Sequence, residues 1–575
     1  MSIPSVGKVL RVNGPVVEIG GLKNVATAEL VEVGRDCLPG EAVTIREGII
    51  TAQVYAYTGG LAPGDTAHAL GRPLSVALGP GLLGGVFDGT MRPLDAAAEF
   101  LETAGAPQVD AARTWAFTPR AALGDDLKPG ALLGVIQETP VIEHRLLAPP
   151  GASGRLTWIA APGEHSVDDR LATVGKVTVG FSNHWPVRKP RPVAERLPAA
   201  SPLVTGQRVL DLLYPIAKGS TACVPGGFGT GKTMLLQQIA KWSDADVIVY
   251  VGCGERGNEM ADVLDELPRL VDPRTGRPLM DRTVIIANTS NMPVMAREAS
   301  IYSGVTVAEY FRDMGYHAIV IADSTSRWAE ALREFASRTG QLPAEEGYPA
   351  SLSSALAAFY ERAGLARTLG GTEASVTVIG AVSPPGGDVT EPVTAHSTRF
   401  VRSLWSLDRD LAYARHYPAV GWTASFSRDA ERLGAWKAAH GDPLWAVRRE
   451  RVIALLGESD RLRSMAELVG STALPDLERV VLLTADLIRE AVLQQSALSP
   501  NDVYCSPAKQ AALMDAVLQV HDHCLELIQA KVPASLIEEV DMSSLVRAKD
   551  AGGPDDIAAA TSARDSILGQ LEALR

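Results

Sequence analysis

Short β-prone runs broken by turn residues open the chain. Val9-Leu10-Arg11-Val12 and Val16-Val17-Glu18-Ile19 flank the turn signal Asn13-Gly14-Pro15, and Ala42–Val54 continues the texture. Several such runs with glycine turns predict a small β-barrel over 1–75. Residues 76–109, including Pro80-Gly81-Leu82-Leu83-Gly84-Gly85, read as a linker. Residues 110–190, rich in Gly, Pro and runs such as Lys176-Val177-Thr178-Val179, read as a β-rich insertion. Over 191–428 the pattern changes to continuous apolar runs, the mark of strands buried on both faces of a parallel sheet. These runs are Thr221–Val224, Val247–Val251, Thr283–Asn288, His317–Ala322 and Ser375–Ile379, with helical stretches between them. From 429 to 575 apolar residues recur at helix spacing, as in Val452–Leu456 and Leu482–Ile488. The fold class predicted is multidomain α/β: barrel, β-rich insertion, α/β core and C-terminal helical domain. No solenoid-type repeat is present.

Between the run Thr221–Val224 and the helical stretch Thr233–Lys241 lies Gly226-Gly227-Phe228-Gly229-Thr230-Gly231-Lys232-Thr233. It fits the phosphate-loop pattern G-x-x-x-x-G-K-[ST], in the strand–loop–helix context the motif requires. Glycines let the backbone turn its N–H groups onto phosphate oxygens. Lys232 supplies a charge for the β and γ phosphates and Thr233 a hydroxyl for Mg²⁺, while the helix that follows points its positive end at the anion.

Other candidates sit at strand ends, where open α/β sheets bind ligands. Asp323 ends the run His317–Ala322; in phosphate-loop enzymes a carboxylate there holds Mg²⁺. Gly254-Glu255-Arg256 follows Val247–Val251. Glu255 can polarise an attacking water and Arg256 can stabilise charge on a transferring phosphoryl group, or the two form a salt-bridged turn. Arg327, four residues after Asp323, either reaches the γ phosphate or makes a surface ion pair. Tyr417, beside Pro418, either stacks on a base or packs a hinge.

Composition narrows the function classes. The 575 residues are 46% hydrophobic and 21% charged, ordinary for a folded protein, and suffice for several domains. A net charge of −13 argues against a general nucleic-acid binder. The opening residues lack a secretion signal's charged-then-apolar shape, and no apolar run nears the ~20 residues of a membrane span, so a cytoplasmic chain is expected. Five scattered cysteines (Cys37, Cys223, Cys253, Cys505, Cys524) read as buried free thiols, and His521-Asp522-His523-Cys524 as a polar helix patch rather than a metal site.

Taken together, these segments resemble the catalytic A subunit of V-type and archaeal-type rotary ATPases. The likeness rests on Gly81–Gly84 through Asp88-Gly89 and Arg92-Pro93-Leu94, on Gly226–Thr233, Tyr250–Met260, Asn288–Pro293, Ala322–Trp328 and Tyr413–Trp422. It covers nearly the whole chain, and 110–190 matches the extra bulge domain of that family. The resemblance implies a RecA-like core and an ion-translocating ATPase or ATP synthase turning over Mg-ATP. Lys232 and Thr233 would be the phosphate and Mg²⁺ residues, Glu255 the catalytic carboxylate, Arg256 and Arg327 γ-phosphate contacts, Asp323 the second Mg²⁺ residue and Tyr417 an adenine wall. It implies three such chains alternating with three noncatalytic B subunits that lend an arginine finger, plus central and peripheral stalks and a membrane ion-translocating sector. The expected location is peripheral, on the cytoplasmic face of a membrane, with no nucleic acid. Two positions depart from relatives. Thr230 stands where vacuolar members carry a redox-active Cys, and Leu498 stands where an aromatic adenine wall is usual. The competing classes are a hexameric helicase, disfavoured by acidic charge, a secretion ATPase, disfavoured by the insertion, and a non-catalytic ring component, disfavoured by Lys232, Thr233 and Glu255.

Overall fold

The computed structural model describes residues 5–94, 113–470 and 473–575. Residues 95–109 of the stretch read as a linker, and 110–112 of the insertion, lie outside the described residues. The chain divides into two compact units, 1–199 with 245–383 and 389–400, and 200–244 with 384–388 and 401–575.

In the first unit, six strands close a barrel: β1 (Val6–Asn13), β2 (Val16–Gly20), β3 (Glu29–Val33), β4 (Leu38–Arg46), β5 (Ile49–Val54) and β6 (Thr66–Pro73), in the order β1-β2-β5-β4-β3-β6. Alternation fills its interior with Val9, Val17, Ile19, Val31, Val33, Ile50 and Val54. Register shifts in β1, β3 and β4 supply the curvature that closure needs. The insertion builds two four-stranded antiparallel sheets around Trp115, Phe117, Leu133, Ile136, Leu146 and Phe181.

The parallel sheet of this unit runs Glu373–Val382, His317–Asp323, Val247–Cys253, Thr283–Asn288 and Val86–Phe87. The four longer strands are buried nearly throughout, as their unbroken apolar runs require. Val86–Phe87 of the expected linker extends the parallel sheet, and Ser75–Leu78, which straddles the expected boundary between barrel and linker, forms an antiparallel ribbon with Asn183–Pro186. Glycine and proline at 80–85 hid those strands, which are two and four residues long. Helix Val294–Asp313 is buried over most of its length. Gly304 lets it approach the sheet, since a Cβ there would lie 2.5 Å from Val251 Cγ2.

The second unit holds the strand Thr221–Pro225, the helix Lys232–Trp242 and the short strands Ser403–Leu404, parallel to Thr221–Pro225, and Phe426–Ser427. Helices follow: Ala430–Ala439, Trp445–Val469, Asp476–Leu487 running into a π-turn at Ile488–Leu493, Pro507–Gln529, Ala534–Glu538, Ser543–Ala551 and Ala558–Glu572. His521 is an interior polar residue here, its Nδ1 2.7 Å from the Thr484 hydroxyl. No group of three or more His, Cys, Asp or Glu side chains placed to hold a metal ion occurs among the described residues. All five cysteines are free, and four are buried; Cys37 is exposed, contrary to expectation, with a left-handed φ of 49° in the turn before β4. No helix among the described residues is long and apolar enough to cross a membrane.

Candidate functional site

Each unit carries one group of the expected site residues. In the second, the strand Thr221–Pro225 delivers the chain into the phosphate loop. Gly229 and Gly231 have φ of 80° and 82°, left-handed values that a side chain would strain. Thr230 is buried and closes the loop internally, its hydroxyl donating to the Gly227 carbonyl at 2.8 Å. Gly226 is pinned: a Cβ there would meet Leu407 Cδ1 and Thr230 Oγ1, both at 2.8 Å. Lys232 and Thr233 open the helix Lys232–Trp242, whose first turn holds no acidic residue to compete with an anion. Phe228 at the loop tip is 89% exposed.

Beside the loop lies a cleft of about 590 Å³, lined on its apolar side by Met234, Leu235, Leu407, Tyr417 and Leu498. The Tyr417 ring approaches Gly231 so closely that a Cβ there would be 3.2 Å from Cε1. Leu498 is 91% exposed at the rim. Gln495 joins the two walls, donating its backbone N–H to the Tyr417 carbonyl at 2.8 Å. The cleft therefore continues from the phosphate loop as an apolar slot bounded by an aromatic and an aliphatic residue, a shape suited to a flat base.

In the first unit, parallel register sets Gly252 beside Asp323 and Cys253 beside Asn288, so Asp323 ends one strand and Glu255 follows the adjacent one at the same sheet edge. Asp323 is 1% exposed. The Tyr250 hydroxyl donates to its Oδ2 at 3.4 Å; burial, then the Asp323 charge, holds that phenol well above its ordinary pKa, so it stays a donor. Gly254, φ 73°, admits the close approach of two arginines, since a Cβ there would lie 2.7 Å from Arg327 Cβ and 2.8 Å from Arg297 Cδ. Glu255 is half-buried, and its carbonyl accepts from Ser290 N–H at 2.9 Å. Arg256 is exposed at the N-cap of the helix Gly257–Glu266. Arg327 bridges to Glu330 at 3.0 Å. Burial opposes its charge, but Glu330, Glu255 and Glu259 outweigh that and raise its pKa.

Sequence reasoning missed Tyr250, Arg297 and Gln495. Tyr250 sits inside an apolar strand, where nothing distinguishes it from a core aromatic. Arg297 is a helix residue 41 positions from Arg256, and only the fold brings it to Gly254.

Four family models match the chain: the ATP synthase alpha/beta family β-barrel domain at 9–71, the barrel-sandwich domain of the ATP synthase alpha/beta family at 106–188, the family's nucleotide-binding domain at 206–427, and the C-terminal domain of V and A type ATP synthase at 435–537. The V-type ATP synthase alpha chain of Nitrosococcus oceani is 50% identical over 558 residues, covering 94% of this chain and 93% of that protein. The A subunit of the A-type ATP synthase of Ignicoccus hospitalis is 47% identical over 565 residues, covering 94% and 95%. That of Hyperthermus butylicus is 46% identical over 551 residues, covering 93% and 92%. Among solved structures, the assembled ATPase EscN of the enteropathogenic E. coli type III secretion system superposes with a TM-score of 0.64. At 22% identity, covering 90% of this chain and all of that one, it shares the fold.

Proposed function

The chain belongs to the family of the alpha, or A, chains of V-type and A-type ATP synthases, and from that premise we propose that it is the catalytic subunit of a rotary, ion-translocating ATPase or synthase. The observation that carries the reading is the phosphate loop, with left-handed Gly229 and Gly231, opening directly into an apolar base slot. A triphosphate needs backbone donors and a base needs an apolar cleft; this segment offers both side by side.

The proposed roles follow from chemistry. N–H groups of Gly226, Gly227, Phe228, Gly229, Thr230 and Gly231 and the Lys232 ammonium bind phosphates. Tyr417 and Leu498 bound the base. The Thr233 hydroxyl and the Asp323 carboxylate are hard oxygen donors that suit Mg²⁺, which neutralises phosphate charge when bound. Glu255 takes the proton of the attacking water, and Arg256 and Arg327 steady the transferring phosphoryl group. Arg327 must first leave Glu330. That half-exposed pair three residues apart is worth at most ~1 kcal/mol, while a charge-assisted bond to phosphate contributes about 1.5–3 kcal/mol, so phosphate wins.

The proposed setting is an alternating ring of three such chains and three noncatalytic B subunits on central and peripheral stalks, peripheral to the cytoplasmic face of a membrane. The test reconstitutes this chain with B and stalk subunits and follows ATP hydrolysis. Turnover that disappears with EDTA and returns with Mg²⁺ is expected; an assembled ring that binds ATP but never turns it over would reverse the reading in favour of a structural role. Within it, Leu498→Phe should tighten ATP binding about 2–10-fold, because an aromatic wall adds ~0.5–1.5 kcal/mol of stacking. Equal dissociation constants for parent and variant in a fluorescence titration would remove Leu498 from the base slot.

A further inference from the structure

The loop that brings Leu498 to the slot is held by a buried ion pair. Arg208 and Asp502 have side chains 0% and 1% exposed and meet at 2.5 Å between Nη1 and Oδ1. The other guanidinium donors go to loop backbone: Nε to the Val492 carbonyl at 2.5 Å and Nη2 to the Gln494 carbonyl at 2.6 Å. Asp502 Oδ2 accepts from Ser496 N–H at 2.7 Å. Arg208 backbone N–H donates to Gln495 Oε1 at 2.8 Å, and Gln495 Nε2 donates to the Gly206 carbonyl at 2.9 Å. Gln495 in turn carries the bond to Tyr417. One cluster thus fixes both walls of the slot.

Stability alone does not explain the pair, since well-packed apolar residues usually serve a core equally well. A planar guanidinium offers something they cannot: donors at fixed angles to several acceptors at once. Here two of the acceptors are the carbonyls of Val492 and Gln494, and the third, Asp502, itself accepts from Ser496 N–H, so the pair follows the stretch leading to Leu498.

We propose that Arg208 and Asp502 are positioning residues for base recognition, setting through Gln495 and Ser496 the separation of Tyr417 and Leu498. The inference rests on the reading that this slot takes the adenine of ATP. It separates recognition of the base, governed by this cluster, from recognition of the phosphates, governed by the loop Gly226–Thr233.

The test uses the assembled ring, with ATP and inorganic tripolyphosphate as probes. Asp502→Asn keeps an acceptor for Arg208 but puts an amide where Ser496 N–H needs an oxygen. Its KM for ATP should rise about tenfold with kcat within about twofold, and tripolyphosphate affinity should stay within about twofold of the parent's. Leu498→Ala should weaken ATP binding about threefold in the parent and add nothing in Asp502→Asn, the non-additivity of groups acting together. A merely structural role predicts additive effects and equal weakening of both probes, and either result overturns the inference. If Asp502→Asn does not assemble, Arg208→Lys replaces it. That variant keeps a cation beside Asp502 but lacks the fixed fork that donates to the Val492 and Gln494 carbonyls at once, and should raise KM about threefold. An unshifted KM in a ring that binds ATP overturns the inference alone; a parent ring that binds no ATP overturns it together with the reading beneath it.

Discussion

Glu255→Gln is expected to lower the steady-state turnover of the assembled ring by about 10²–10⁴-fold while leaving ATP binding intact. The amide is nearly isosteric and still orients a water, but it cannot take that water's proton at neutral pH. The side chain follows Gly254, whose conformation is fixed by a left-handed φ and by Gly254 N–H donating to the Asn288 carbonyl at 2.6 Å. The substitution therefore leaves the backbone of the turn as it is. Single-turnover hydrolysis and equilibrium ATP binding, measured on the same preparation, separate the two quantities. A variant ring that hydrolyses at the parent's rate would move the proton-accepting role elsewhere. A variant that no longer binds ATP would make Glu255 a binding residue instead.

How legible the site was depends on what each part is built from. The phosphate loop was readable because its geometry is set by residue type: left-handed φ at 229 and 231 calls for glycine, and glycine is visible in a sequence. The strands before Glu255 and Asp323 were readable because burial on both faces forces unbroken apolar runs. The positioning cluster was not. Arg208 and Asp502 lie 294 residues apart, and each alone resembles an ordinary surface charge. Ser75–Leu78 and Val86–Phe87 were lost among turn residues, because short strands that draw their partners from distant segments leave almost no periodic signal. Arg327 illustrates a different limit. Its sequence position left a surface ion pair and a phosphate contact as alternatives; in the structure it makes the ion pair, which such a contact would replace.

Lys232→Ala carries the other large expected effect, and it acts on both binding and chemistry. A charge-assisted contact to phosphate is worth about 1.5–3 kcal/mol, so ATP affinity should fall roughly 10–150-fold. The same ammonium meets charge that grows as the phosphoryl group transfers, and losing a preorganised donor of that kind costs a further ~10²–10³ in kcat. The two losses place kcat/KM at least about a thousandfold below the parent's. Lys232→Arg should recover little. The loop is closed by the Thr230–Gly227 hydrogen bond and packed against Tyr417 at Gly231, and a forked guanidinium needs a different path from that of a single ammonium. Retained ATP affinity in a folded Lys232→Ala ring would mean that the backbone N–H groups and the base slot hold the nucleotide without the ammonium. In that case its whole contribution would lie in the transition state, and the expected loss would appear in kcat alone.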